Sequence, residues 1–461
     1  MCVICVICVI CGPDNVPSTL LQKGLNSDLL HQISSDKNEP KWMRGHREDS
    51  LSKYESISLP KFGPDLSGLN LDNITYYAPT GIDATDDWGE LPDHIREVYE
   101  KLGIPEAEHK WLAGVGAQYE SDIIYHSLKE EWEKSGVIFM DMDDAVKEHP
   151  VLVREYFMKC VPNSDHKFAA LHGAVWSGGT FLYVPKGVVV TEPLQAYFRM
   201  NAPNMGQFEH TLIIVDEGAE VHYIEGCSAP KFGSKGLHAG CVEIYAKQGS
   251  KVRYSSVENW SKDTYNLNTK RAIVEKDAVI EWVGGNLGAG VTMLYPCSVL
   301  AGEGARSDHF GVAFASGEQW QDTGAKVIHS APHTSSKIVS KSVSKAGGTC
   351  TYRGLVKIGE NASNSVVSVE CDALLLDDLS RTDTIPDIKL RNNDVTIAHE
   401  ARVGKLSAED LFYLTSRGIA EEEAKAMIVN GFMDPIVRLL PLEYAVEMNR
   451  LIELEMEGSV G

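Results

Sequence analysis

Turn-forming residues punctuate the middle of this chain at a nearly fixed interval. Gly187, Gly218, Gly249, Asp277, Gly304, His333, Asn361 and Asn393 are separated by 31, 31, 28, 27, 29, 28 and 32 residues. Several of them close one alternating run of Val, Ile and Tyr and open the next, as in Ile213-Ile-Val-Asp-Glu-Gly218-Ala-Glu-Val-His-Tyr223. A strand-built repeat of this length indicates a solenoid, since propeller blades run longer, at about 40–45 residues. An irregular β-sandwich is the competing arrangement. The expectation is a mainly β chain whose core, residues 165–402, is a parallel β-helix of roughly seven coils.

The flanks read differently. Residues 1–38 are expected to be a flexible, cysteine-bearing tail, and 39–164 mostly helical. In Asp93–Gly103, Ile95, Val98, Tyr99 and Leu102 form one helical stripe, with Asp93 as cap and Gly103 as stop. Ile124, Leu128 and Trp132 suggest a second helix, and Val151–Phe157 a third. After residue 403 the helical period returns. Ser407-Ala-Glu-Asp410 resembles a capping start, and 403–461 is expected to cap the open coil, as solenoids require.

With 43 basic and 65 acidic residues the net charge is −22. That excludes nucleic-acid binding through phosphate contacts, which needs clustered cations. The longest unusual apolar run, Cys2–Cys11, is half the ~20 residues of a membrane span. No basic residue precedes Lys23 and no Arg precedes Arg44, so neither a signal peptide nor a transit peptide is indicated. The chain reads as cytoplasmic and its ten cysteines as thiols, metal ligands or redox groups.

No phosphate-cradling loop, dinucleotide fingerprint or nucleophile elbow occurs, and His399-Glu400 continues as Ala-Arg-Val rather than completing a zinc-protease motif. Strand alternation is more informative. Ala219, Val221, Tyr223, Glu225 and Cys227 share one face, and Ser250, Val252, Tyr254, Ser256, Glu258 and Trp260 share the next coil's equivalent. Stacking sets Val221 by Val252 and Tyr223 by Tyr254, which marks that face as interior. Glu225, Cys227, Ser256 and Glu258 then also point inward, into a polar, thiol-bearing passage. The competing reading bends the coil after Tyr223 and returns these residues to solvent. Cys2, Cys5, Cys8 and Cys11 have a spacing that can ligate a metal or cluster, although their Val-Ile filler suits an oxidation-prone tail as well. Cys160, Cys241, Cys297 and Cys350 carry no motif and read as small core hydrophobes.

Glu39-Pro-Lys-Trp-Met-Arg44, Tyr197-Phe-Arg-Met-Asn-Ala-Pro-Asn204, Gly206-Gln-Phe-Glu-His-Thr211, Ile224-Glu-Gly-Cys-Ser-Ala-Pro230, Tyr254-Ser-Ser-Val-Glu-Asn-Trp260 and Leu411-Phe-Tyr-Leu-Thr-Ser-Arg-Gly418 resemble the SufB/SufD family, on its SufB side. The resemblance runs from about residue 39 to the C-terminal region. It implies a right-handed parallel β-helix and a non-catalytic scaffold of the SUF iron–sulfur cluster assembly machinery. Implied partners are a SufC-type ABC ATPase docked on the C-terminal helices, the SufD paralogue or a second copy of the chain, a cysteine desulfurase system as sulfur donor, and acceptor apo-proteins. The transient cargo is an iron–sulfur cluster, and a reduced flavin is compatible as electron source.

By the same resemblance, Cys227 accepts sulfur. Arg199, Asn201, Glu209, Glu225, His238, Ser256, Glu258, Trp260 and Lys276 line the sulfur passage, with Arg199, His238 and Lys276 supporting the Cys227 thiolate. Ser256 and Glu258 depart from the family's Thr and Gln, the latter adding a negative charge. Cys371 and Glu400 are implied ligands of the nascent cluster. Their separation of 29 residues, one repeat, predicts that they stack on adjacent coils, with His399 as a spare ligand on the opposite face from Glu400. The alternative from another class is a β-helix enzyme acting on polysaccharide.

Overall fold

The computed structural model describes residues 22–457. Alternation between apolar and polar residues produces two parallel walls with an interior between them. One wall stacks eight coil strands, Leu194–Arg199, Glu220–Ser228, Lys251–Asn259, Val279–Leu287, Arg306–Ser316, Ser335–Lys345, Ser365–Leu375 and Val395–Lys405, and the hairpin Gly114–Tyr119/Asp122–Leu128 extends it at the first of them. The facing wall runs from Thr180–Val184 through His210–Val215, Cys241–Ala246 and Thr269–Val274 to Thr349–Ile358 and Arg381–Leu390. The fold is the expected parallel solenoid, with eight coils rather than about seven.

Because the rungs are parallel and in register, each interior position becomes a column. Tyr223, Tyr254, Trp282, His309, Ile338 and Val369 lie directly over one another. The apolar core of Val221, Val252, Ile280, Ile244, Ala272 and Val274 fills the same interior.

The turns are also a ladder. Gly187, Gly218, Gly249, Asp277, Gly304, His333 and Asn364 all have positive φ, between 54° and 72°. Each donates its amide to a carbonyl in the next coil's turn, from Gly187 to Glu217 through Asp277 to Glu303 and His333 to Ser363. The left-handed conformation is why Gly dominates the series. The sequence alignment placed the seventh turn at Asn361, three residues early. The turn residue is Asn364, which like Asn361 tolerates this conformation.

The helical layers flank the walls. Helices Lys41–Ser56, Met142–Glu148, Pro150–Tyr156 and Lys167–Val175 cover the outer face of the second wall, through Met43, Met142, Val153 and Phe157 against Phe181, Leu212, Ile214 and Tyr245. Helices Glu421–Val437 and Leu442–Glu457 cover the outer face of the first, packing Val429, Met433, Tyr444 and Ile452 on Ile224, Val257, Val283 and Phe314. They therefore do not cap the open coil, as the sequence reading had it. The last coil, Arg381–Leu390 and Val395–Lys405, is bare, with Ile385, Ile388, Leu390 and Val403 exposed.

Three further expectations change. Ser27–Asp36 is a helix capped by the Asn26 side chain, with Leu29, Leu30 and Ile33 buried, so order begins before residue 39. Residues 39–164 contain strands Gly114–Tyr119, Asp122–Leu128 and Ile138–Asp141. Ile124 and Leu128 belong to one of these strands, because Tyr119 and Asp122 close a hairpin that pairs it antiparallel to its neighbour. Pro92, not Asp93, occupies the cap of helix Asp93–Lys101, while Gly103 ends it in the left-handed region. Cys2, Cys5, Cys8 and Cys11 lie outside the described residues. Among the described residues no helix is long and apolar enough to cross a membrane.

His333 is exposed and pays a left-handed conformational cost that glycine avoids. His333→Gly is expected to raise the unfolding free energy by about 0.5–1 kcal/mol, read as a higher denaturant midpoint at unchanged slope.

Candidate functional site

Strand Glu220–Ser228 carries Val221, Tyr223, Glu225 and Cys227 into the interior, and the next rung sets Ser256 on Glu225 and Glu258 on Cys227. All four polar residues are buried, so the coil does not bend back to solvent after Tyr223. Cys227 Sγ lies 3.9 Å from Glu225 Oε1. From the opposite wall Lys270 reaches both acids, with Nζ 3.3 Å from Glu225 and 2.7 Å from Glu258. Asn266 donates to Glu258 at 2.5 Å and accepts from His238 Nδ1 at 2.8 Å. His238 Nε2 meets Glu209 at 2.5 Å, and its ring packs on Trp260 with centroids 4.4 Å apart. Glu209, Glu225, His238, Ser256, Glu258 and Trp260 are thus one buried group around Cys227.

Three expected members stand apart. Lys276 is on the exposed turn after Thr269–Val274, because it falls two residues past the strand end. Its expected place is taken by Lys270, which shares strand parity with Ala272 and Val274. Arg199 pairs in register with Ser228, not Cys227, and bonds Ser228 Oγ at 3.0 Å on the other strand face. Asn201 lies past the strand end, where Glu120 accepts from its amide at 2.9 Å.

The electrostatics do not favour a resting thiolate. Burial pushes the Cys227 thiol well up, and Glu225, Glu258 and Glu209 push the same way against Lys270. Burial also raises Glu225. Burial acts upward on Glu258 too, but Lys270, His238 and Asn266 hold its carboxyl below the usual range. The extra charge at Glu258 is therefore balanced. Burial thus favours the protonated thiol, whose hydrogen-bond neighbour is the raised Glu225 carboxyl.

A column of small residues leaves this group. In register above Glu225 come Ser256, Gly284, Gly311, Ser340 and then Cys371. The missing side-chain volume forms a cavity of ≈ 50 Å³ between the walls, lined by Ser256, Lys270, Gly284, Gly311, Ser340 and Tyr352. A water needs about 10–15 Å³ on this measure, so a sulfur atom fits. Tyr352 hydrogen-bonds the Cys371 thiol, which burial pushes up to about 12.

Cys371 and Glu400 do not share a face. Cys371 pairs with Ala401, and Glu400 pairs with Glu370. A separation of 29 is one short of this rung's register of 30, and one residue reverses a strand's side-chain direction. Glu400 faces outward and is held by Arg402 Nη2 at 2.8 Å. His399, in register with buried Val369, has the same parity as Cys371 and projects from the bare last coil.

Residues 198–432 match the family model described as the SUF system FeS cluster assembly SufBD core domain, and residues 118–196 match the SufBD protein N-terminal region. The chain belongs to the SufB/SufD family. It is 52% identical over 440 residues to the iron–sulfur cluster assembly protein SufB of Bacillus subtilis, covering 95% of each chain. An iron–sulfur cluster assembly SufBD family protein of Staphylococcus aureus is 52% identical over 448 residues, covering 97% of this chain and 96% of that one. This SufB/SufD protein is thus an iron–sulfur cluster assembly protein. Sequence reading of the site missed Lys270, Asn266 and Tyr352. Parity together with the end of the strand at Val274 points to Lys270, whereas Asn266 and Tyr352 depend on how the two walls face each other.

Lys270→Met removes the cation shared by two buried acids. It is expected to lower the unfolding free energy by about 3 kcal/mol, and adding Glu258→Gln is expected to recover part of that loss in chemical denaturation.

His238 gives a pH signature. Burial lowers an imidazole's pKa, but Glu209 outweighs it and the folded pKa lies above the ordinary value. A raised folded pKa stabilises fully below the unfolded value of about 6.5 and loses that contribution as pH rises past it. The stability gap between wild type and Glu209→Gln is expected to shrink on raising pH from about 6 to 9, measured by urea midpoints.

Proposed function

We propose that the chain is a scaffold that receives sulfur on Cys227, conducts it along the solenoid interior and builds a nascent cluster beside Cys371. The observation that carries this reading is the column of small residues, with its cavity, joining the Cys227 group to Cys371.

The first step balances without an oxidant. Glu225 takes the Cys227 proton, and the thiolate attacks the outer sulfur of a donor persulfide. The donor S–S bond breaks, the donor leaves as a thiolate and Cys227 keeps a persulfide. Releasing that sulfur as sulfide takes two electrons from outside the chain, for which a reduced flavin in the complex is the proposed source.

At the far end Cys371 and His399 offer a thiolate and an imidazole on one face, and Glu400 adds a carboxylate from around the free edge of Val395–Lys405. Such mixed ligands hold iron less firmly than four thiolates, which suits a cluster that is handed on. The bare coil is the proposed seat of a SufD-type paralogue or a second copy, which completes the ligand set. The chain has no phosphate loop of its own, and helix Ala408–Thr415 exposes Phe412 and Tyr413, the proposed contact for a SufC-type ATPase. Acids sealed inside a solenoid do not suit the polysaccharide-active alternative.

The test is Gly311→Leu. A Cβ at Gly311 meets nothing within 4 Å, so the side chain enters the bore without displacing backbone. The complex is purified anaerobically after incubation with a desulfurase, and Cys227 persulfide, iron and acid-labile sulfide are measured. Gly311→Leu should keep the Cys227 persulfide and lose the cluster. Cys227→Ser should lose both, and Cys371→Ser only the cluster. A full cluster in Gly311→Leu refutes the passage, and one in Cys371→Ser removes that thiol from the ligand set.

A further inference from the structure

A second group of metal-binding side chains lies outside this passage, on the outer face of the second wall where helix Lys167–Val175 is seated. His172 from that helix meets His210 and Cys241, which are register partners on adjacent strands. All three are buried. One ligand atom from each lies within 4.8 Å of the others.

The hydrogen bonding around them is directional. His172 Nδ1 is 3.0 Å from the Ala239 carbonyl, which fixes the proton on that nitrogen and leaves Nε2 as a lone pair. That Nε2 is 2.9 Å from His210 Nδ1. His210 Nε2 in turn faces Glu243 Oε2 at 3.3 Å. Glu243 is itself fixed by the amides of Met158 at 2.5 Å and Val161 at 2.7 Å. His172 therefore has its far nitrogen oriented by a carbonyl, the usual support of a metal-bound histidine, while His210 Nε2 lies near the Glu243 carboxyl without a hydrogen bond to it. The near nitrogens converge beside a thiol.

We propose that His172 Nε2, His210 Nδ1 and Cys241 Sγ bind a divalent, zinc-class ion that pins the helix to the solenoid. Two imidazoles and a thiolate are zinc ligands, at about 2.0–2.1 Å from nitrogen and about 2.3 Å from sulfur, with a fourth position left for a small non-protein ligand. To reach those lengths the nitrogens, 2.9 Å apart, part by a few tenths of an ångström and the sulfur, within 4.8 Å of both, moves in by at most about one. The charges balance. The ion displaces the thiol proton and the proton between the two histidines. His210, bound through Nδ1, then carries its proton on Nε2 beside the Glu243 carboxylate. A dication then sits among one thiolate and one carboxylate, leaving the buried site neutral. The site is sealed, so the ion enters as the helix docks during folding. A merely satisfied histidine pair would take up no metal and would not respond to the loss of Cys241.

The experiment uses the full chain with Cys2, Cys5, Cys8, Cys11 and Cys371 changed to Ser, produced in zinc-supplemented and, separately, cobalt-supplemented cells. About one zinc per chain is expected by elemental mass spectrometry, and the cobalt form should show tetrahedral visible bands with a thiolate charge-transfer band. Cys241→Ser should lose the charge-transfer band and most of the zinc, His172→Gln should lose most of the zinc, and both should melt at lower temperature than the zinc-loaded parent. A parent with no stoichiometric zinc and no charge-transfer band overturns the proposal, a result that needs no variant to fold. So does a Cys241→Ser protein that keeps the full zinc content and the band.

Discussion

Everything in this molecule depends on the in-register stacking of parallel rungs. Hydrogen bonds between coils hold equivalent residues at the ~4.8 Å strand spacing, so a property chosen at one position is repeated along the axis. Aromatic residues stack into a rigid column at Tyr223, Tyr254 and Trp282. Glycine and serine at the neighbouring position stack into a gap. The same rule that builds the core therefore builds the passage, and the two differ only in side-chain volume.

Buried charge is the second constraint. Isolated, each of Glu209, Glu225, Glu258, His238 and Lys270 would be expelled from such an interior. Together they form opposite-sign contacts: Lys270 reaches Glu225 and Glu258 across the walls, and Glu209 meets His238 between adjacent coils. The walls are thus tied by polar contacts at the Cys227 end and by apolar packing along the core. At the polar end a thiol and a carboxyl, both raised by burial, lie within hydrogen-bond reach of each other.

Much of this was legible in the sequence. The turn period exposed the solenoid, and parity exposed Glu225, Cys227, Ser256 and Glu258 as interior. What failed did so for geometric reasons. Lys276 was placed by resemblance along a segment where the strand had already ended, while Lys270, of the same parity, lies within the strand. Glu400 was named by resemblance and its stacking on Cys371 inferred by counting one average repeat, but a repeat that varies between 27 and 32 residues cannot fix a strand face. The end-cap role of the last helices failed because helical periodicity reports that a face is apolar, not which surface covers it. The hairpin strand holding Ile124 and Leu128 imitated a helix because three apolar residues four apart fit either period when the strand is short.

The bare last coil has a consequence for how far assembly can proceed. An uncovered parallel strand is a template on which further strands could add without limit, as in a fibre. Here the template carries its own terminator. Pro386 sits within Arg381–Leu390 and has no amide to offer. The bare coil also bristles with the ion pairs Arg381–Asp383, Lys389–Asp387 and Arg402–Glu400. Any chain added there would have to match an interrupted ladder and an alternating charge pattern, which makes open-ended polymerisation unfavourable.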